Sequence, residues 1–188
     1  MPGRAEETRQ YGTRVGVLAE WRFCPRCSAE LQNEGPKVEC PRCGFVHYSN
    51  PVPAVAALVV DESGRLLLAR RAVEPDAGLW DTPGGFLGEG EDPVDGLRRE
   101  LLEEAGVDVE VGDFFGMYLD RYGSGPDAPY VLNLVWRASI VGGELEAADD
   151  VSELAWFEPD ALPPPDVLAF GWLAVALSGW SSSGRMGQ

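Results

Sequence analysis

"GFLGEGEDPVDGLRRELLEEAGV", residues 85–107, sets a glycine-punctuated loop before a short acidic run that stops at another glycine. The second half carries helix signals at both ends. Asp92 is a suitable N-cap with Pro93 at the first helical position, and Gly106 stands just past the last turn as a terminator. At about 100° per residue, Val94, Leu97, Leu101 and Ala105 share one stripe, which should bury. Glu100, Glu103 and Glu104 fall on the neighbouring face, and Gly96 lies there too. Its missing side chain is expected to leave room for a bulky group beside the carboxylates. An acidic helix face is by itself usually a solvated surface, so the surroundings of this run decide its meaning.

The chain has 188 residues, room for one ordinary domain with a small appendage. A hydrophobic content of 45% suits a packed core, and a net charge of −16 argues against nonspecific nucleic-acid binding, which needs a basic surface. An acidic protein is instead suited to collecting cations. No apolar leader is visible, and "AVAALVV" at 54–60 is too short to span a bilayer, so a cytoplasmic protein away from membranes is expected.

The cysteines form two C-x-x-C pairs, Cys24/Cys27 and Cys40/Cys43, each in the sequence "CPRC". Two tight turns can present two sulfurs each to one ion, which suits a four-thiolate zinc site. Disulfides or redox pairs are the alternative. A site with four thiolates is closed, so the Zn²⁺ expected here is structural, and the lone histidine, His47, is left as an ordinary polar residue.

Residues 1–20 read as a flexible arm, 21–48 as a zinc ribbon too small for its own core, 52–178 as the main domain and 179–188 as a flexible tail. "AVAALVVDESGRLLLARR" (54–71) reads as two apolar strands joined by a turn, a β-hairpin. After the acidic helix, residues 107–120, 129–141 and 153–159 read as strands. "PPPDVLAFGWLAVALSG" (163–179) reads as a helix starting at proline and apolar on nearly all sides. Mixed strands and helices imply an α/β sandwich with a mixed sheet.

Between Gly85 and Val107 the spacing is Gly85, Glu91, Arg99-Glu100-Leu101, Glu103-Glu104 and Gly106-Val107. It resembles the signature of the Nudix hydrolases at all nine fixed positions, and a loop-then-helix context is the right one for that signature. Looser likeness runs from about residue 52 to 160, through Trp80, Pro83, Gly84 and Gly85 and the late pair Trp156-Phe157. The resemblance implies a Nudix α/β/α sandwich that hydrolyses a pyrophosphate linkage with Mg²⁺ or Mn²⁺. Hard cations prefer oxygen ligands, and they bridge an acidic helix to a polyanionic substrate. By resemblance Glu100, Glu103 and Glu104 hold the metal, with the Gly85 carbonyl as a further ligand, and Arg99 orients the carboxylates. Glu91 and Gly106 are structural. Glu103 and Glu104 carry catalytic roles in the same reading. The general base is left open among Glu103, Glu144, Glu146, Asp149, Asp150 and Glu153.

A zinc ribbon before this domain resembles the NADH pyrophosphatases and a group acting on FAD or ADP-ribose. The stretch "SQPWPFP" of the NADH enzymes is missing from "FGMYLDRYGSGPDAPYVLNLVW" (115–136), which places FAD or ADP-ribose ahead of NAD(H). Arg70 and Arg71 are candidates for substrate phosphates, and Tyr118, Tyr122 and Tyr130 for stacking on a ring. Nucleoside-triphosphate clearance and a non-catalytic nucleotide sensor are the competing functions. The family resemblance and the apolar C-terminal helix suggest a homodimer.

Overall fold

The computed structural model describes residues 18, 21–31, 37–125 and 128–183. The expected arm at 1–20 lies outside these, apart from Leu18, and so do residues 184–188 of the expected tail. Two compact units result, Met1–Asn50 with Gly125–Pro129, and Pro51–Ser124 with Tyr130–Gln188.

In the first unit β1 (Lys37–Glu39) pairs antiparallel with β2 (Val46–Tyr48). Its small core gathers Leu18, Leu31 and Val38 around the buried Cys24 and Cys40.

The second unit begins with β3 (Val52–Val59), β4 (Leu66–Arg71), β5 (Trp80–Asp81) and β6 (Gly84–Phe86), followed by α1 (Pro93–Ala105). Then come β7 (Val107–Arg121), β8 (Tyr130–Gly143), β9 (Val151–Phe157), a 3₁₀ turn at Pro165–Val167 and α2 (Gly171–Ser183). One sheet has the order β6-β3-β8-β7, the other β5-β4-β9. The first is mixed, since β3 runs parallel to β8 while β6 and β7 pair antiparallel to their neighbours.

The expected hairpin at 54–71 does not form. β3 and β4 belong to different sheets, and the ladder pairing between the two runs is limited to a bridge between Val60, just past β3, and Leu66. The reason lies in the two faces of each run. Val55, Ala57, Val59 and Leu67 pack with Leu97, Leu101 and Ala105 of α1. Ala56, Leu58, Leu66 and Leu68 pack with Trp172, Leu173, Ala176, Leu177 and Trp180 of α2. Strands apolar on both faces are buried from both sides. Each fully buried leucine contributes about 1.5–3 kcal/mol, so one helix on each face is the stable arrangement.

α1 has the predicted ends. The Asp92 side chain accepts from Val94 N at 2.9 Å, and Gly106 takes the left-handed conformation at φ 69°. Leu97 and Leu101 are fully buried, while Val94 is only half-buried. α2 begins at Gly171 instead of near Pro163, because the prolines give way to the 3₁₀ turn first. Asp120 of β7 takes the capping role, accepting from Trp172 N at 2.9 Å. The helix continues to Ser183, past residue 179 where the sequence suggested a tail.

Candidate active site

The loop before α1 and the helix itself converge on one pocket in the second unit. Gly84 N donates to Glu104 Oε2 at 2.8 Å, tying β6 to the helix. A Cβ on Gly85 would lie 2.5 Å from the Glu100 carboxyl carbon, so only glycine admits that carboxylate so close to the strand. Gly96 works differently from the expectation. The space where its side chain would be is filled by Leu87 and Glu91, so it seats the loop on the helix and gives no open approach to the carboxylates.

Arg99 organises the box. Its guanidinium donates to both Glu91 oxygens at 2.7 and 2.9 Å, to Glu100 Oε1 at 2.8 Å, to Glu103 Oε2 at 2.9 Å and to Phe86 O at 3.2 Å. Bonding to Arg99 and to Gly88 N pulls the Glu91 carboxyl down to about 2. Glu100 and Glu104 are buried and line the pocket, whereas the Glu103 side chain is about half exposed and does not. Arg99 thus holds Glu103 next to Glu100, on the more exposed side of the pair that lines the pocket.

The pocket has a volume of about 260 Å³. Asp149 and Asp150 line it because the 144–150 loop is fastened to the end of α1. Glu146 N donates to Ala105 O at 3.1 Å and Ala148 N to Glu104 O at 3.0 Å, supplying partners to carbonyls the helix leaves open. Burial pushes the Glu104 carboxyl up to about 9, with Asp150 and Glu100 adding to the rise against the Gly84 bond. Burial also raises Glu100, against Arg99. Buried acids that repel one another are the donor set that a divalent cation relieves. Glu100 and Glu104 fit that role, with the half-buried Asp150 beside them in the pocket wall.

The adjacent arginines divide. Arg70 donates to Glu153 at 2.7 Å and to Gly78 O at 2.9 Å, and lies 4.2 Å over the Trp80 ring, away from the pocket. Glu153, paired with Arg70, is likewise not in the pocket lining. Arg71 lines the pocket, held by Pro75 O, by the Tyr122 hydroxyl at 3.1 Å and by the rings of Tyr122 and Phe170. Tyr118 packs against Trp172 instead of lining the pocket, and Tyr130 faces Arg121. Tyr122 is the one of the three tyrosines in the pocket wall.

Sequence reasoning missed Asp81 and Asn133, which also line the pocket. Burial pushes the Asp81 carboxyl up to about 6, opposed by Thr82 N and by Arg71 at 3.7 Å. Its place in "WDTPGG" next to the glycines was the available signal. Asn133 had only its polarity inside an apolar strand.

In the first unit the four cysteine sulfurs all lie within 4.8 Å of one another. Cys24 and Cys43 are 3.6 Å apart, as are Cys27 and Cys40, too far for disulfides, which join sulfurs at about 2.05 Å. A tetrahedron with arms of about 2.3 Å has edges near 3.8 Å, so the set fits a zinc ion. The two knuckles share one bonding pattern. Cys24 N and Cys40 N donate to Ala29 O and Phe45 O, while Ser28 N and Gly44 N donate back to the cysteine carbonyls. His47 is exposed and stacks against Trp21 at 5.2 Å, outside the sulfur set.

Comparison with known proteins adds the family context. A family model described as NUDIX domain matches residues 50–173. The NAD-capped RNA hydrolase NudC of Pseudomonas aeruginosa is 30% identical over 158 residues, covering 82% of this chain and 54% of that protein. The chain thus spans about half the length of such relatives. An ADP-ribose pyrophosphatase of Methanocaldococcus jannaschii is 33% identical over 119 residues, 62% of this chain and 67% of that one. Among solved structures, a NUDIX hydrolase from Nitrosomonas europaea aligns with a TM-score of 0.74 at 27% identity, covering 89% of this chain and 94% of that chain. Among the described residues no helix is long and apolar enough to cross a membrane.

Proposed function

The chain belongs to the NUDIX domain family, and from that premise we propose that it hydrolyses the pyrophosphate linkage of a nucleoside diphosphate derivative, with ADP-ribose as the leading substrate. The observation that carries this reading is the buried pair Glu100 and Glu104, held against Gly84 and Gly85 and facing Arg71 across one pocket. Glu100 and Glu104 hold magnesium or manganese, with the Gly85 carbonyl as a further ligand. Bound divalent ions acidify water and offset charge on the departing phosphate.

The residues of the chain divide the remaining work. Arg71 faces the phosphates as the pocket's guanidinium. Arg99 fixes the rotamer of Glu100 and holds Glu103 beside it. Asp150, beside Glu104 on the fastened loop, accepts the proton of the attacking water. The water oxygen bonds to phosphorus, the bridging P–O bond breaks, and the bridging oxygen leaves with the other phosphate.

ADP-ribose leads because a relative bears that activity in its name, and FAD is carried alongside it from the sequence reading. The NudC relatives keep NAD derivatives in view as a second reading. The four cysteines hold structural zinc. A panel of ADP-ribose, FAD, NADH and nucleoside triphosphates with magnesium, read by product identification, tests the proposal. Glu104→Gln should lower turnover by orders of magnitude. No turnover of any substrate by the unaltered protein overturns the enzyme reading.

A further inference from the structure

Arg71 and Asp81 face each other in the pocket wall, and the contact between them is loose. The Arg71 side chain is only 11% exposed. Its Nε donates to Pro75 O at 2.8 Å and one terminal nitrogen to the Tyr122 hydroxyl at 3.1 Å, with the rings of Tyr122 and Phe170 against the guanidinium. The other terminal nitrogen makes no hydrogen bond among the described residues. It stands 3.7 Å from Asp81 Oδ2, near enough to attract but beyond a hydrogen bond. Asp81 is 15% exposed, and while its Oδ1 accepts from Thr82 N at 2.8 Å, its Oδ2 has only this distant partner. A buried ion pair left so incompletely bonded costs stability. An asparagine would keep the shape and the Thr82 bond without that cost. Among the described residues lining the pocket Arg71 is the only cation, against Asp81, Glu100, Glu104, Asp149 and Asp150. Divalent ions offset the acids of α1; Asp81 is the acid set against the arginine.

We propose that Asp81 is a positioning residue acting through Arg71: its carboxylate competes with an entering phosphate for the unbonded guanidinium nitrogen and so limits how tightly the pocket holds that phosphate. This role rests on the reading of Arg71 as the guanidinium that faces the phosphates. The geometry suits an exchange of partners. Pro75, Tyr122 and two rings already fix the guanidinium, so Arg71 need not move when a phosphate takes its free N–H groups. A charge-assisted bond of about 2.8 Å to Asp81 would first have to break. At 3.7 Å no bond breaks, yet the carboxylate repels the anion at short range. A site built for affinity alone would omit the acid, whereas a site that must shed a product phosphate gains from it.

Calorimetric titration of the full chain with methylenediphosphonate, in magnesium, tests this in the unaltered protein, Asp81→Asn, Arg71→Gln and the double variant. The probe has no base or ribose and its P–C–P bridge resists hydrolysis, so it reads the phosphate contact without turnover. Arg71→Gln should weaken binding at least about tenfold. Asp81→Asn should tighten it about threefold to tenfold when Arg71 is present. In the Arg71→Gln background it should change nothing, because a buried acid without its counter-ion takes up a proton. The Tm of Asp81→Asn at neutral pH should hold or rise, since burial raises this carboxyl from 3.8 to about 6 and makes its ionised form costly there. Asp81→Ala and Arg71→Met carry the cycle if the first variants do not fold. Equal tightening in both backgrounds overturns the proposal, because it marks a general field and not competition for Arg71. Weaker or unchanged binding by Asp81→Asn overturns it too. No uptake by the unaltered protein, or full affinity in Arg71→Gln, overturns the phosphate reading of Arg71 and this inference with it. The hydrolase reading stands or falls separately, on the substrate panel.

Discussion

Replacing Gly85 with alanine separates the geometry of the site from the stability of the fold. The new Cβ would stand 2.5 Å from the Glu100 carboxyl carbon, against an ordinary contact of at least 3.4 Å. The carboxylate must then retreat by about 0.9 Å, the difference of those two distances. Glu100 can yield, since only the end of a side chain is displaced and Arg99 can follow it. The fold should therefore survive, and a Gly→Ala change at a permissive backbone even tends to stabilise. Catalysis should not survive so well: a misplacement of about 1 Å costs on the order of a hundredfold, near 2.7 kcal/mol of transition-state stabilisation. Turnover at saturating magnesium and ADP-ribose, with Tm measured in parallel, is the assay. Gly84→Ala is the contrasting control, because φ there is 145° and the Cβ would run into the Val55 carbonyl, so that variant should unfold. Gly85→Ala activity within about threefold of the unaltered protein refutes the reasoning, and so does a collapse in Tm matching that of Gly84→Ala.

Other consequences follow from the same contacts. Arg99→Lys keeps the charge but cannot hold Glu91 through two bonds together with Glu100 and Glu103, so kcat should drop about 10- to 100-fold; an unchanged kcat would show that those bonds do not orient the acids. Glu91, with its carboxyl depressed from 4.5 to about 2, contributes stability that is fully present above pH 4.5 and lost as pH falls through about 2. Glu91→Gln should therefore lower Tm at neutral pH and flatten its acid dependence, as a Tm series across pH would show. Metal analysis should find about one zinc per chain, Cys40→Ser should release it, and strong chelation should make all four thiols of the unaltered protein reactive toward a thiol reagent. Protein purified without chelator and holding no zinc would end the structural-zinc reading.

The sequence by itself determined the features that local chemistry dictates. The ends of α1 follow from Asp92, Pro93 and Gly106, since capping uses groups within a turn of the helix end. The two knuckles follow from C-x-x-C turns of matching shape, and the box spacing fixed the family. Tertiary structure decided what depends on partners far along the chain. The sequence could not tell that β3 and β4 enter different sheets, because a strand apolar on both faces does not name its neighbour. Arg70 and Arg71 are neighbours of one residue type, yet alternation along β4 sends one to Glu153 and the other into the pocket. Glu103 lies on the expected helix face but is held by Arg99, while Asp81, Asn133 and Asp150 reach the pocket from three other segments. Spacing sets which carboxylates share a helix face. Only packing brings distant strands and loops to that face and decides which of the carboxylates meet.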